Sequence, residues 1–128
     1  MTNPTQTLSY IDGFVAAVPT ANKDEYRKHA ELAAQAFIDH GALSIMECWG
    51  DEVQHGEQTD MYKAVAAKID ETVVFSWIVW PSKEIRDQAM PKVMADPRAS
   101  AELNPMPFDA SRLIYGGFRL LVTKQASI

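Results

Sequence analysis

The sequence has 128 residues, 47% of them hydrophobic and 23% charged, with a formal net charge of −5 and a pI near 5.1. These values are typical of a single globular domain with a substantial core. An acidic chain without a basic stripe is poorly suited to bind nucleic acid or an anionic membrane surface. We therefore expect neither partner.

The sequence also indicates the compartment. Cys48 is the single cysteine of the chain, so an internal disulfide is excluded and a reducing environment is favoured. The first seven residues are polar and do not resemble a signal peptide. No apolar run approaches the roughly 20 residues that a membrane span needs. We expect a cytoplasmic protein with one domain over residues 1–128 and loose termini at 1–7 and 124–128.

The predicted elements begin with a strand over residues 8–18, which Pro19 ends. A helix follows over about residues 21–39, with Thr20 or Asn22 as a candidate N-cap and Gly41 suited to the position after its end. Its predicted buried stripe consists of Tyr26, Ala30, Ala33 and Phe37. A second strand is predicted over 42–50. The polar connection at 51–70 should contain one short helix over 61–68, and it is long enough to cover a site or a partner surface.

The strongest strand signal is at residues 72–80, TVVFSWIVW, because β-branched and aromatic side chains dominate it. A strand this apolar should be central in its sheet. A second helix should start after the N-cap Ser82, and its predicted buried face consists of Ile85, Ala89, Val93 and Met94. It should kink or break near residues 87–90, because Pro91 removes a backbone hydrogen bond. A last strand is predicted over 113–123. The order β-α-β-β-α-β predicts an α+β, ferredoxin-like fold, with two helices on one face of a four-stranded antiparallel sheet.

Each predicted strand carries two different rows of side chains, because successive residues point to opposite faces. One row is almost wholly apolar, and we expect the helices to cover it. It consists of Ile11, Val15, Met46, Cys48, Phe75, Trp77, Val79, Ile114, Phe118, Leu120 and Val122. The other row mixes large apolar groups with charged ones, so it is too apolar for water and too polar for a dry core. We expect a homodimer in which a second copy covers this mixed row and encloses a pocket for a small molecule.

The mixed row supplies the candidate site. Asp12 and Glu47 are the candidate catalytic residues, because paired carboxylates can divide acid and base roles. The alternative is that one of them pairs with Arg119 while the other faces water. The candidate substrate-binding residues are Tyr10, Phe14, Trp49, Ser76, Trp80, Tyr115 and Arg119. The aromatic ones are suited either to a planar substrate or to a dimer interface.

Two further segments have open interpretations. Gly116 and Gly117 lie inside a predicted strand. They either permit the close approach of a ligand or of another backbone, or form a β-bulge, and the β-bulge is the favoured interpretation. Residues 106–109, MPFD, are either a lid over a pocket or a hydrophobic plug of the core.

The remaining reactive side chains do not form a motif. The three histidines are scattered at positions 29, 40 and 55, without the spacing of a metal site, and we expect His40 to interact with the end of its helix. Cys48 is expected to be a small buried hydrophobe. Arg98 and Arg112 are expected to be solvated, although either would suit an anion. No phosphate-binding loop is present, and no cofactor is indicated.

Four blocks together resemble the DUF1428 family of uncharacterised bacterial proteins: ALSIMECWGDEV, ETVVFSWIVWPSKEIRD, KVMADPR and MPFDASRLIYGGF. The resemblance extends from about residue 10 to residue 122, and Pro91 departs from it. It implies a dimeric α/β-barrel, the fold of small monooxygenases and isomerases. By that analogy an enzyme would oxygenate or isomerise a small organic substrate without a tightly held metal. The alternative is a non-catalytic dimeric module that binds a metabolite or a partner protein.

Overall fold

The structure is a computed structural model that describes residues 10–127; the predicted leader at 1–7 and the start of the first predicted strand lie outside the described residues. The described chain forms an α+β domain. Its elements are strand β1 (Tyr10–Pro19), helix α1 (Lys23–Asp39), strand β2 (Ser44–Trp49), helix α2 (Met61–Ala64), strand β3 (Glu71–Trp80), helix α3 (Lys83–Ala95) and strand β4 (Ile114–Arg119). None of the helices in residues 10–127 has both the length and the apolar character that crossing a membrane requires.

The four strands form one open antiparallel sheet in the order β2-β3-β1-β4. Strand β3 is central, as its apolar sequence predicts. It separates β1 from β2, which run in the same direction because both are antiparallel to β3. The register aligns Asp12 with Ile78 on one side and with Gly117 on the other. Strand β4 ends earlier than the predicted residue 123, so Leu120 and Val122 lie beyond the sheet.

The helix boundaries follow the sequence signals in part. The Ser82 hydroxyl accepts the Ile85 N–H at 3.1 Å and caps α3, and Gly41 has a φ of 126° after α1, as predicted. Asn22, one of the two candidate caps, is at the N-cap position of α1, but its side chain does not cap the helix. The Asn22 amide instead donates its N–H to the Pro107 carbonyl at 3.0 Å. A turn of 3₁₀ helix at Thr20–Asn22 leads into α1 instead.

Pro91 does not break α3, so of the predicted kink or break near residues 87–90 the break is wrong. The helix runs without interruption from Lys83 to Ala95 with Pro91 inside it. Proline lacks the N–H that would bind the carbonyl four residues earlier, that of Asp87. Both Pro91 and Asp87 are exposed, so the freed carbonyl is on the water side of the helix. Ala89 and Val93 form the buried side of α3, whereas the other two predicted members of its buried face, Ile85 and Met94, are exposed.

The helices cover the mixed row, and the predicted assignment of the two faces is therefore wrong. Trp80, Ser76 and Val74 are fully shielded on the helix side of β3. On the opposite side Phe75 is 44% exposed and Phe118 on β4 is 62% exposed. We call the surface formed by the side chains of the apolar row the open face. The mixed row is consequently part of the core, and it is not available as the predicted dimer interface.

The long connection before β3 covers one end of the open face. Its short helix α2 is only four residues long, half of the predicted span. Val65 follows it and packs against Ala17 and Val73, together with Tyr62. Only this end of the sheet is covered on both sides in the described chain. The rest of the open face remains accessible, including Met46 and Cys48 on β2.

Gly117 is a point of close packing between β4 and Tyr10. A Cβ atom at this glycine would fall 2.9 Å from two carbons of the Tyr10 ring, and closer still to its hydroxyl. The β1–β4 register passes through Gly116 and Gly117 without an extra residue, so the favoured interpretation as a bulge is wrong. The glycine permits the close approach of an aromatic side chain.

We expect Gly117→Ala to lower the free energy of unfolding by about 2 kcal/mol, because the methyl group forces the Tyr10 ring out of its buried position. Urea denaturation followed by circular dichroism measures this change. Gly116→Ala is the matched control, since its new methyl would meet the Phe118 ring at an ordinary 3.7 Å. Equal losses in the two variants would contradict the role of the Tyr10 contact.

Candidate functional site

A cavity of about 400 Å³ lies between the helix side of the sheet and the two long helices. Its wall is mostly aromatic, aliphatic and thioether, and a few polar groups converge on it. The apolar wall residues include Phe14, Phe37, Ile45, Ile78, Met90, Met94, Met106, Phe108 and Leu113. The polar or amphipathic residues of the wall are Asp12, Tyr26, His29, Glu47, Arg86 and Tyr115. This volume and chemistry are typical of a pocket for a small organic molecule.

Glu47 is held by two hydroxyl groups. Tyr26 on α1 donates to Glu47 Oε1 at 2.6 Å, and Ser76 on β3 donates to the same oxygen at 2.5 Å. Burial and the neighbouring Glu47 carboxylate raise the pKa of Tyr26 far above its ordinary value, so the phenol keeps its proton and remains a donor. The second oxygen, Glu47 Oε2, has no hydrogen-bond partner among residues 10–127.

Asp12 is saturated by contacts on both oxygens. Arg86 on α3 donates to Asp12 Oδ1 at 2.9 Å and to Oδ2 at 3.0 Å, and Trp80 Nε1 donates to Oδ2 at 2.9 Å. The pKa of Arg86 is raised mainly by the hydrogen bonds to Asp12. The Asp12 and Arg86 side chains are 13% and 26% exposed. This bidentate pair is a well-shielded structural contact.

His29 brings an unsatisfied imidazole to the cavity. Its Nδ1 atom is buried and has no hydrogen-bond partner in the described chain. The ring lies beside Tyr26, with 6.2 Å between centroids. A buried polar atom without a partner is uncommon and costs free energy. His29 is therefore the residue of this wall whose polar groups the fold leaves least satisfied.

The segment at 106–109 forms part of the cavity wall. Phe108 packs on Tyr26 with 5.8 Å between ring centroids, and it is half-buried against the core. Met106 lines the same cavity. Phe108 thus packs against the core, as the interpretation of this segment as a hydrophobic plug predicts, and it also closes one side of the cavity.

The structure brings four of the predicted site residues to this cavity: Asp12, Phe14, Glu47 and Tyr115. Tyr115 lies at the rim and is 79% exposed, because β4 is an edge strand. Three others are beneath or beside the cavity and do not line it. Tyr10 and Trp80 are buried in the core, and Ser76 is buried behind Glu47.

The last two predicted residues lie elsewhere. Trp49 packs against the core on the outer side of Tyr26, with Lys23 Nζ 5.6 Å from its ring. Arg119 is exposed at the end of β4. The arginine that pairs with Asp12 is Arg86, and the suggested alternative pairing through Arg119 is not formed.

Sequence reasoning missed Tyr26, His29 and Arg86 as site residues. Each one had a signal in the helical spacing. His29 is three residues after Tyr26, on the face of α1 that was predicted to be buried. Arg86 is four residues before Met90 and therefore shares its face of α3. The spacing predicts which helix faces are buried, but it does not indicate which residue of the sheet a polar side chain on such a face will contact.

Other reactive side chains are occupied or isolated. Arg112 forms a bidentate pair with Glu71 at 2.6 and 2.7 Å, which lowers the pKa of Glu71 to about 2. Arg98 binds Asp96, and His40 Nε2 lies 3.0 Å from the same carboxylate. Cys48 is exposed on the open face, so the prediction that it is buried is wrong. Within residues 10–127, no three acidic, histidine or cysteine side chains form a group that could hold a metal ion.

We expect Asp12→Asn to lower the free energy of unfolding by about 2 kcal/mol, because Arg86 would lose its charged partner in a shielded position. Thermal or urea denaturation measures this loss. Asp87→Asn is the matched control, because Asp87 binds the same guanidinium at 3.0 Å but is 44% exposed. The control should cost under about 1 kcal/mol. An equal loss of unfolding free energy in the two variants would show that the burial of the Asp12–Arg86 pair does not add to its contribution to stability.

Comparison with known proteins relates this arrangement to a family. The chain is 51% identical over 115 residues to the protein named "Uncharacterized protein YbaA" of Escherichia coli K12, and the match covers 90% of this chain and 98% of that protein. The same identity and coverage hold for YbaA of Shigella flexneri. Residues 9–110 match the profile of the DUF1428 family, whose description is a protein of unknown function. The chain therefore belongs to the DUF1428 family.

Proposed function

We propose that this protein binds a small, mainly apolar organic molecule in the cavity between the sheet and the two long helices. The observation that carries the proposal is an apolar cavity of about 400 Å³ with the Glu47 carboxylate in its wall. Binding sites for small molecules generally combine such a wall with a few fixed polar groups. Here two hydroxyl donors fix Glu47 and leave its second oxygen free for a ligand.

The two candidate catalytic carboxylates have different roles in this proposal. Glu47 contacts the ligand, because it lines the cavity and one of its oxygens has no partner among residues 10–127. Asp12 fixes Arg86 and Trp80, because both of its oxygens are already bound. A reaction in this cavity, such as the oxygenation or isomerisation expected of an enzyme, would therefore use Glu47 for proton transfer.

Naphthalene is a suitable first probe, since it is flat, apolar and uncharged. We expect it to bind the protein with a stoichiometry of one per chain, and Ala33→Leu to weaken binding at least about fivefold, because the added side chain occupies the cavity. Ala33 lines the cavity. Ligand-observed NMR and competition with fluorescent analogues measure the affinity.

Ala64→Leu is the matched control for this test, because Ala64 is exposed at the end of α2, away from the cavity. It should leave the affinity unchanged. Lack of naphthalene binding to the native protein, or equal binding by both variants, would rule out the cavity as the binding site.

We further propose that two copies of the chain pair through the open face to form a dimeric α/β-barrel of ferredoxin-like domains. The strand order β2-β3-β1-β4, with β1 and β2 parallel around β3, supports the ferredoxin-like arrangement. The open face carries large apolar side chains in contact with water, including Phe75, Phe118 and Met46. A contiguous apolar surface of this kind on a sheet favours association.

Analytical ultracentrifugation tests this pairing. We expect the native protein to sediment as a dimer and Phe118→Asp to sediment as a monomer, because each copy would bury a charged carboxylate in an apolar interface. The lone thiol of Cys48 gives a second measurement, since it should react slowly with a thiol reagent in the dimer and rapidly in Phe118→Asp.

The matched control is Leu32→Asp, a similar change at a half-exposed position of α1. It should remain dimeric. A monomeric native protein, or a Phe118→Asp variant that stays dimeric, would contradict pairing through the open face.

A further inference from the structure

We propose that the molecule bound in the cavity is an organic cation, an apolar body that carries one ammonium group. This inference rests on the binding function proposed above and narrows it to a class of ligand. Two observations carry it. The Glu47 carboxylate lines the cavity without a cationic partner among residues 10–127, and aromatic rings form much of the same wall.

The first observation is the balance of charge in the cavity wall. The acidic and basic side chains of this wall are Asp12, Glu47 and Arg86. The Arg86 guanidinium already binds Asp12 at 2.9 Å and Asp87 at 3.0 Å. The Glu47 carboxylate therefore adds a negative charge that no arginine or lysine of the described wall compensates.

His29 is the remaining side chain of the wall that could carry a positive charge. A protonated imidazole has a hydrogen on each ring nitrogen. The Nδ1 atom of His29 is buried and has no hydrogen-bond partner in the described chain. Protonation would therefore bury a charged N–H group without an acceptor, which is costly. We assign His29 as neutral, so it leaves the charge of Glu47 unbalanced.

Glu47 also borders a groove of about 280 Å³ between α1 and β2, which two basic side chains line. Neither of them pairs with Glu47 in the described chain. Arg27 binds Asp24 at 2.8 Å, and Lys23 Nζ lies 5.6 Å from the centre of the Trp49 ring. The groups that do bind Glu47 are two neutral hydroxyls, which hold the carboxylate in place and leave its charge uncompensated.

The second observation decides which kind of cation fits. Five aromatic side chains line the cavity: Phe14, Tyr26, Phe37, Phe108 and Tyr115. The faces of such rings attract ammonium groups, and the apolar wall accommodates an apolar body. A metal ion would need several ligating side chains, and residues 10–127 contain no group of three acidic, histidine or cysteine side chains that could supply them. An organic ammonium compound matches this wall better than a metal ion or an anion.

Three probes of similar shape isolate the effect of charge. They are 2-naphthylmethylamine, a cation at pH 7, 2-naphthylmethanol, which is neutral, and 2-naphthoate, an anion. We expect the native protein to bind the amine about tenfold more tightly than the alcohol, because an uncompensated carboxylate attracts it in a partly shielded site. The carboxylate should bind most weakly. Isothermal titration calorimetry at pH 7 and low ionic strength measures the three affinities.

Two matched variants test the role of Glu47. Glu47→Gln should reduce the ratio of amine affinity to alcohol affinity to about one, because the amide keeps an acceptor for the two hydroxyls but has no charge. Glu31→Gln is the control, since Glu31 is exposed on the same helix and lines the groove, outside the cavity. It should keep the ratio of the native protein. Circular dichroism checks that each variant is folded, and the ranking by the native protein tests the inference without any variant.

The outcomes separate this inference from the proposed function. Equal affinities of the amine and the alcohol for the native protein would overturn the cation assignment and leave the cavity as a binding site. A ratio lost equally in both variants would also overturn it, because the acidic surface would then attract the amine without a specific site. Amine binding that Ala33→Leu leaves unchanged would place the amine outside the cavity, with the same consequence.

Failure of naphthalene and of all three probes to bind would overturn both the proposed function and this inference. A preference for the amine that is lost in Glu47→Gln and kept in Glu31→Gln would support both, provided that Ala33→Leu weakens binding of the amine.

Discussion

Each long helix is attached to the sheet by one polar contact to a carboxylate, and the arrangement of the core depends on these two contacts. Tyr26 of α1 donates to Glu47 on β2, and Arg86 of α3 holds Asp12 on β1. A carboxylate beneath a helix would destabilise the fold if it lacked partners. The two helices supply the missing donors, so the mixed row can be buried without a second subunit.

The same contacts leave most of the open face uncovered by the part of the chain that the structure describes. This face is the more apolar of the two, and among residues 10–127 only the region around Val65 is packed against it. Hydrophobicity alone would favour the opposite arrangement, with the apolar row inside. The polar groups of Tyr26 and Arg86 favour the observed arrangement instead. Burying these groups costs free energy unless they form hydrogen bonds, and they do so with Glu47 and Asp12. An exposed apolar sheet face is the result, and the proposed pairing of two chains rests on it.

The cavity is a consequence of the same geometry. The two long helices leave a gap over the sheet, and small residues such as Ala33 line it beneath α1. Aromatic and methionine side chains line the space, and so does His29, whose buried Nδ1 atom is unsatisfied in the described chain. A protein that needed only a stable core would gain free energy by filling this volume. The proposed binding site rests on the cavity together with the polar groups of Glu47 and His29 in its lining.

The sequence by itself determined the elements and their order, the central position of β3, the cap at Ser82 and the end of α1 at Gly41. Local signals suffice for these, because they depend on side-chain periodicity and on residues that favour particular backbone angles. It also identified Asp12, Glu47, Phe14 and Tyr115, which do lie together. Only the tertiary structure decided which face the helices cover. Either row could have been buried, and the choice depends on whether the helices supply hydrogen-bond donors to the carboxylates of the mixed row. Those partners, Tyr26 and Arg86, are distant in sequence from Glu47 and Asp12, so no local pattern could reveal the pairing.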